Sequence, residues 1–94
     1  MTDAEKLIIL KKDLQMITSA NDAYLQVLLR QAKAAIRREG ISLTDGDIES
    51  DMAVIQYAAY LFRCRAGTDT VMPRFLRYQL NNMLVSQKGK MNDV

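Results

Sequence analysis

Apolar residues recur along this chain at the three- and four-residue intervals of helices that bury one side, and four such stretches cover nearly all of it. Leu7, Leu10, Leu14 and Ile17 stand at i, i+3, i+7 and i+10, which predicts a first helix from about Asp3 to Met16. Thr18 to Asp22 breaks it, and Asn21 is the candidate N-cap of a second helix reaching about Glu39. That helix buries Leu25, Leu28, Leu29, Ala32 and Ile36, and Gly40 fits the left-handed position that ends it. In the loop Ile41 to Gly46, Ile41 and Leu43 are expected to tuck onto the core, with Thr44 or Asp45 capping the next helix. This third helix is predicted from about Asp47 to Ala66, closed by Gly67 and a polar turn at Thr68–Thr70. A fourth runs from about Pro73 to Gln87, with Leu76, Leu80, Met83 and Leu84 inward and Phe75 and Val85 on the flanks of that stripe. Gly89 to Val94 is expected to fray into a short flexible tail.

The third stretch differs from the others. Of the eleven residues Met52 to Phe62, ten are apolar or tyrosine and only Gln56 is plainly polar. One stripe is Ile48, Met52, Ile55, Ala59 and Phe62; a second is Val54, Ala58 and Leu61, with Tyr57 and Tyr60 between the faces. A helix apolar on several sides must be covered on several sides. Eleven residues fall short of the about 20 needed to cross a bilayer. The pattern therefore predicts an all-α, single-domain bundle spanning residues 1–94, ordered over about 4–88, with the third helix at its centre. A chain this short has few other helices to offer as cover. The surplus apolar sides of helix three, with helix one, are expected to meet another subunit.

Composition narrows the chemistry. There is no histidine and one cysteine, which removes histidine-based acid–base catalysis, histidine metal sites and an intramolecular disulfide. Cys64 lies between Arg63 and Arg65, and reads as a packed small residue on a buried helix. No phosphate-binding glycine loop and no nucleophile–base pair is present, so no enzyme, cofactor or metal is expected. Asp45, Asp47, Glu49 and Asp51 lack the twelve-residue frame of a calcium loop and read as acids favoured at a helix start. The opening residues lack the basic start and long apolar run of a signal peptide, and a soluble, intracellular protein is expected. Charge is uneven. Residues 1–51 carry seven basic and nine acidic side chains, net −2; residues 52–94 carry six and two, net +4. On the fourth helix Arg74, Arg77, Asn81 and Lys88 share one polar, basic face. Arg74, Arg77, Asn81 and Asn82 are also residue types that reach phosphates or bases, so a small helix-turn-helix-like DNA-binding regulator is the alternative reading. The connection between the third and fourth helices exceeds the usual three- or four-residue turn of that motif.

The order of motifs resembles a known family. Asp22-Ala-Tyr-Leu25 is followed by Ala34 to Ile41 (Ala-Ala-Ile-Arg-Arg-Glu-Gly-Ile) and by Met52 to Arg63 (Met-Ala-Val-Ile-Gln-Tyr-Ala-Ala-Tyr-Leu-Phe-Arg). Met72 to Arg77 (Met-Pro-Arg-Phe-Leu-Arg) and Gln79 to Asn82 (Gln-Leu-Asn-Asn) complete the series. In order and spacing, from about Leu7 to Lys88, this resembles the small α-helical head–tail connector (adaptor) proteins of tailed double-stranded-DNA bacteriophages, also described as phage DNA-packaging proteins. Gln79-Leu80 fits the first half of a Gln-Leu-Arg-Gly signature of some members, and Asn81-Asn82 departs from it. The resemblance implies a structural virion subunit, not an enzyme. Such subunits assemble into a homo-oligomeric ring under the portal protein. The ring extends the channel through which DNA passes without sequence-specific binding, and docks the stopper or tail protein. It implies residence in the cytoplasm of the infected bacterium, then in the virion neck, with no membrane partner. The residues assigned to a subunit or partner interface are Tyr57, Tyr60, Arg63, Arg74, Arg77, Asn81 and Asn82. A ring needs two different patches that meet head to tail.

Overall fold

The computed structural model describes residues 1–67 and 71–92. Its helices are α1 (Asp3–Asp13), α2 (Asp22–Arg38), α3 (Ile48–Arg65) and α4 (Arg74–Asn92), with no strand among the described residues. The expected turn at Thr68–Thr70 and the last two residues of the expected tail lie outside the described residues.

Each helix begins and ends for a local reason. Thr2 and Glu5 form a reciprocal capping box at the start of α1: the Glu5 N–H donates to Thr2 Oγ1 and the Thr2 N–H to Glu5 Oε1, both at 3.2 Å. The same contacts, led by the backbone bond from Thr2, hold the Glu5 carboxyl below its ordinary pKa. The helix stops at Asp13, short of the predicted Met16. Gln15 takes a positive φ of 59°, its N–H donates to the Lys12 carbonyl, and the Met16 N–H reaches the Lys11 carbonyl. This is a Schellman closure with glutamine where glycine is commonest. Ile17, which extends the stripe on paper, is therefore off the helix and 96% exposed. Asn21 occupies the N-cap position of α2 but makes no side-chain capping bond. Gly40, at φ 96°, closes α2 as predicted, and Ile41 folds back into the core. The cap of α3 is Asp47, not Thr44 or Asp45: Asp47 Oδ2 accepts from both the N–H and the hydroxyl of Ser50, each at 3.1 Å. Pro73 precedes α4, and its carbonyl accepts the Arg77 N–H. Helix α4 runs on through Gly89 to Asn92, past its predicted end near Gln87.

Helix α3 packs on all three others, with its largest interface against α2. Ala32 on α2 and Ala53, Ala58 and Ala59 on α3 are buried. Such small side chains let helix backbones come close while Leu25, Leu28, Ile36, Val54 and Ile55 fill the core around them. Each fully buried leucine or isoleucine contributes about 2 kcal/mol of transfer free energy. Helix α4 joins through Leu76, Leu80 and Met83. Two polar ties hold it. Gln87 Nε2 donates to the Ser42 carbonyl at 2.8 Å while the Ser42 N–H donates to Gln87 Oε1 at 2.7 Å. The Arg77 guanidinium pairs with Glu39, at the end of α2.

One charged cluster lies inside. Asp51 and Lys6 are both buried, with Lys6 Nζ 3.5 Å from Asp51 Oδ1 and the Met1 ammonium 2.9 Å from Oδ2. The pair ties α1 to α3 through the interior.

The molecule measures 48 × 29 × 18 Å, and its radius of gyration of 13.8 Å exceeds the about 12 Å of a compact chain of this length. Eighteen ångströms is about two helix diameters. In a slab two helices thick the outer helices keep a side without cover from their own chain, whereas no residue of α3 from Ser50 to Cys64 is exposed.

Candidate assembly surface

That open side is most apolar on α4. Phe75, Tyr78, Asn82 and Val85 stand at i, i+3, i+7 and i+10, within about 80° of one another around the axis. They face about 150° away from Leu76, Leu80 and Met83. Phe75 is 59%, Tyr78 61% and Val85 68% exposed. Val71, just before the helix, is exposed as well. Phe75 and Val85 are thus not flanks of the core stripe, as the sequence suggested, but members of a second stripe pointing outward. Arg74 borders that stripe and is exposed. Between Arg74 and Asn92 there are four basic residues and no acid.

The expectation that α3 leaves surplus apolar sides is corrected by the same geometry. Ala53, Val54, Ile55, Ala58 and Ala59 are enclosed by the chain itself, and Tyr57, Tyr60, Leu61 and Phe62 are half-buried against the core. The α3 position that does protrude is its first, Ile48, 63% exposed beyond the end of the stripe that the periodicity assigned it to. On α1, Ile8 is exposed.

The seven residues singled out in sequence fall into three places. Tyr57, Arg77 and Asn81 come together around Glu39. Arg77 pairs with Glu39 and its Nε donates to Asn81 Oδ1 at 3.2 Å. The hydrogen bond with Glu39 raises the Arg77 pKa further; burial, then the Glu39 carboxylate, raises that of Tyr57. Tyr60 meets Tyr57 edge to face, with centroids 6.0 Å apart and planes at 82°. Arg63 lies elsewhere, donating to the Asp13 carboxylate at 3.2 Å and capping the end of α1. Arg74 and Asn82 are on the exposed face of α4. Arg77 and Asn81, read as members of a free basic face, are engaged within the chain.

Beside α1 and α2 lies a groove of about 400 Å³. Leu29 and Val54 line it, together with Lys6, Arg30, Lys33 and Arg37. Lys6 already faces Asp51 and Lys33 faces Asp45 at 3.5 Å, so Arg30 and Arg37 form its cationic rim. Among the described residues no group of three or more histidine, cysteine, aspartate or glutamate side chains is placed to hold a metal ion. No described helix is long and apolar enough to cross a membrane.

Sequence reasoning missed Phe75, Tyr78 and Val85 as surface residues. Their signal was present, a second helical stripe on α4, but Phe75 and Val85 read as flanks of the core stripe. No family model, curated protein or solved structure matches this chain.

Proposed function

We propose that this chain is a structural subunit of a phage head–tail connector, assembling with further copies into a ring on the portal and there docking the stopper or tail. The near-full-length order of motifs supports the reading. The observation that carries the assembly step is the apolar stripe of α4, turned outward from a slab with no further layer to cover it. Contiguous exposed apolar surface of this kind marks interaction sites. Burying Phe75 alone is worth about 2 kcal/mol. The DNA-regulator reading draws on Arg74, Arg77, Asn81 and Asn82, and two of these, Arg77 and Asn81, are engaged by Glu39 and by each other.

Light scattering over a concentration series, alone and with the portal protein, tests the proposal. Growth in mass is expected for the wild type. Its loss is expected in Phe75→Asp with the thermal melt unchanged, because an exposed side chain contributes little to the monomer's stability. A wild-type chain that stays monomeric at every concentration and ignores the portal protein would defeat the proposal. Binding of duplex DNA that falls steeply with salt would favour the regulator instead.

A further inference from the structure

Among the described acids, two are left without a basic partner. Asp3, Asp13, Asp22, Glu39, Asp45 and Asp51 each face a basic group, and Glu5 serves the capping box. Asp47 and Glu49 have no basic partner among the described residues, and exposed Ile48 stands between them. The tip of α3 is therefore an apolar side chain flanked by two carboxylates, one of which also caps the helix.

The complementary pattern is the first half of the α4 stripe. Phe75 and Tyr78 supply apolar surface and Arg74 borders it with a cation, on a helix with no acid to neutralise it. The two patches cannot meet within one copy. Asp47 and Glu49 share a shallow cleft with Ser86 and Gln87, in the later turns of α4. Phe75 lies eleven residues earlier in the chain, about 16 Å away along the helix axis. Arg30 and Arg37 suit the acidic tip less well. They rim a groove whose apolar lining, Leu29 and Val54, is buried, and the neighbouring Lys33 already holds Asp45 of the same chain.

We infer that the partner of the α4 stripe is a second copy of this chain, whose Asp47–Ile48–Glu49 tip seats Ile48 on Phe75 and Tyr78 and brings Glu49 to Arg74. The contact is head to tail, one patch on a different patch, and repeats from copy to copy. Contacts of this type close into rings when the rotation allows and run into filaments when it does not. The inference rests on the ring-subunit reading and deepens it by naming the two faces.

Charge exchange between full-length chains tests it. Glu49 is the right probe, because Asp47 is needed as the cap and Asp45 is paired. Arg74→Glu leaves two acidic faces on each copy, and Glu49→Lys cancels the charge of the tip and sets a cation opposite Arg74. In sedimentation velocity each variant alone is expected to self-associate about tenfold or more weakly than wild type. An equimolar mixture is expected to regain association, since every acidic face then finds a cation. Thermal melts of each variant separate misfolding from loss of contact. If wild type associates but neither variant weakens it, or mixing fails to restore it while both variants remain folded, these faces are wrong and the ring reading stands on another interface. If wild type never associates, with or without the portal protein, both fall together.

Discussion

Gln15 carries the one positive φ of a non-glycine residue among those described, and it does so in order to close α1. A left-handed conformation costs an ordinary L-residue about 1 kcal/mol, which glycine does not incur. Gln15→Gly removes that strain while adding freedom to the unfolded chain. The side chain is exposed and no contact is sacrificed. A net gain of about 0.5 kcal/mol is expected, read as a rise in Tm of about 3 °C; an unchanged or lower Tm would show that the closure is not strained. Neither Gln15's conformation nor the end of α1 was legible in the sequence. The apolar period runs on through Leu14 to Ile17, and only the hydrogen bonds from Gln15 and Met16 back to Lys12 and Lys11 show that the helix has stopped. Gly40 and Gly67 were legible because glycine itself marks the left-handed position.

Among the helices, α4 depends on the fewest neighbours. It packs chiefly on α3, and is otherwise held by Gln87 to Ser42 and by Arg77 to Glu39. The Arg77 pair is partly exposed, so it contributes well under 1 kcal/mol. The apolar contacts of Leu76 and Leu80, both fully buried, therefore carry most of the docking. Leu80→Ala is expected to destabilise the protein by about 3 kcal/mol in urea. Amide exchange in α4 should rise well before that in α2, because the lost contacts belong to the docking of one helix. Equal acceleration in both would mean that α4 unfolds only with the whole. The four helices and their order were legible from periodicity. So was the inward stripe of α4, Leu76, Leu80 and Met83; that Phe75 and Val85 turn outward instead of flanking it was not. In sequence Phe75 and Val85 read as flanks of that stripe, and only the position of α3 shows how narrow the covered face is.

At the scale of the whole molecule, Asp51 and Lys6 join the first helix to the third through the interior. Burial pushes the Asp51 pKa up, but the hydrogen bond from the Met1 ammonium and the charge of Lys6 outweigh it, and the net shift is downward. A carboxyl depressed in the folded state adds stability that is complete above its unfolded pKa, about 3.9, and disappears as pH falls through the lower folded value. Stability from this source should therefore be flat from pH 7 to 5 and decline below about pH 4. Asp51→Asn leaves Lys6 buried without its main counter-ion and is expected to cost about 3 kcal/mol at neutral pH. It should also flatten the acid limb of the urea-midpoint profile. If acid sensitivity is as steep in the variant as in wild type, another carboxylate governs it. The pair was not legible in sequence: Lys6 and Asp51 each read as a solvated charge near a helix start, 45 positions apart.

The amino-acid order alone determined that this chain is all helix, where the four helices lie to within a few residues, which glycines end two of them, and that the third stands at the centre. Those properties are set by side chains three and four positions apart, whose relations any helix reproduces. Tertiary structure decided the rest. It enclosed α3, turned an apolar stripe of α4 outward, spent Arg77 on Glu39, and left Ile48 bare between two carboxylates. These outcomes depend on how two-helix-thick layers share a limited number of faces. Periodicity shows that a face is apolar but carries no information about which neighbour covers it.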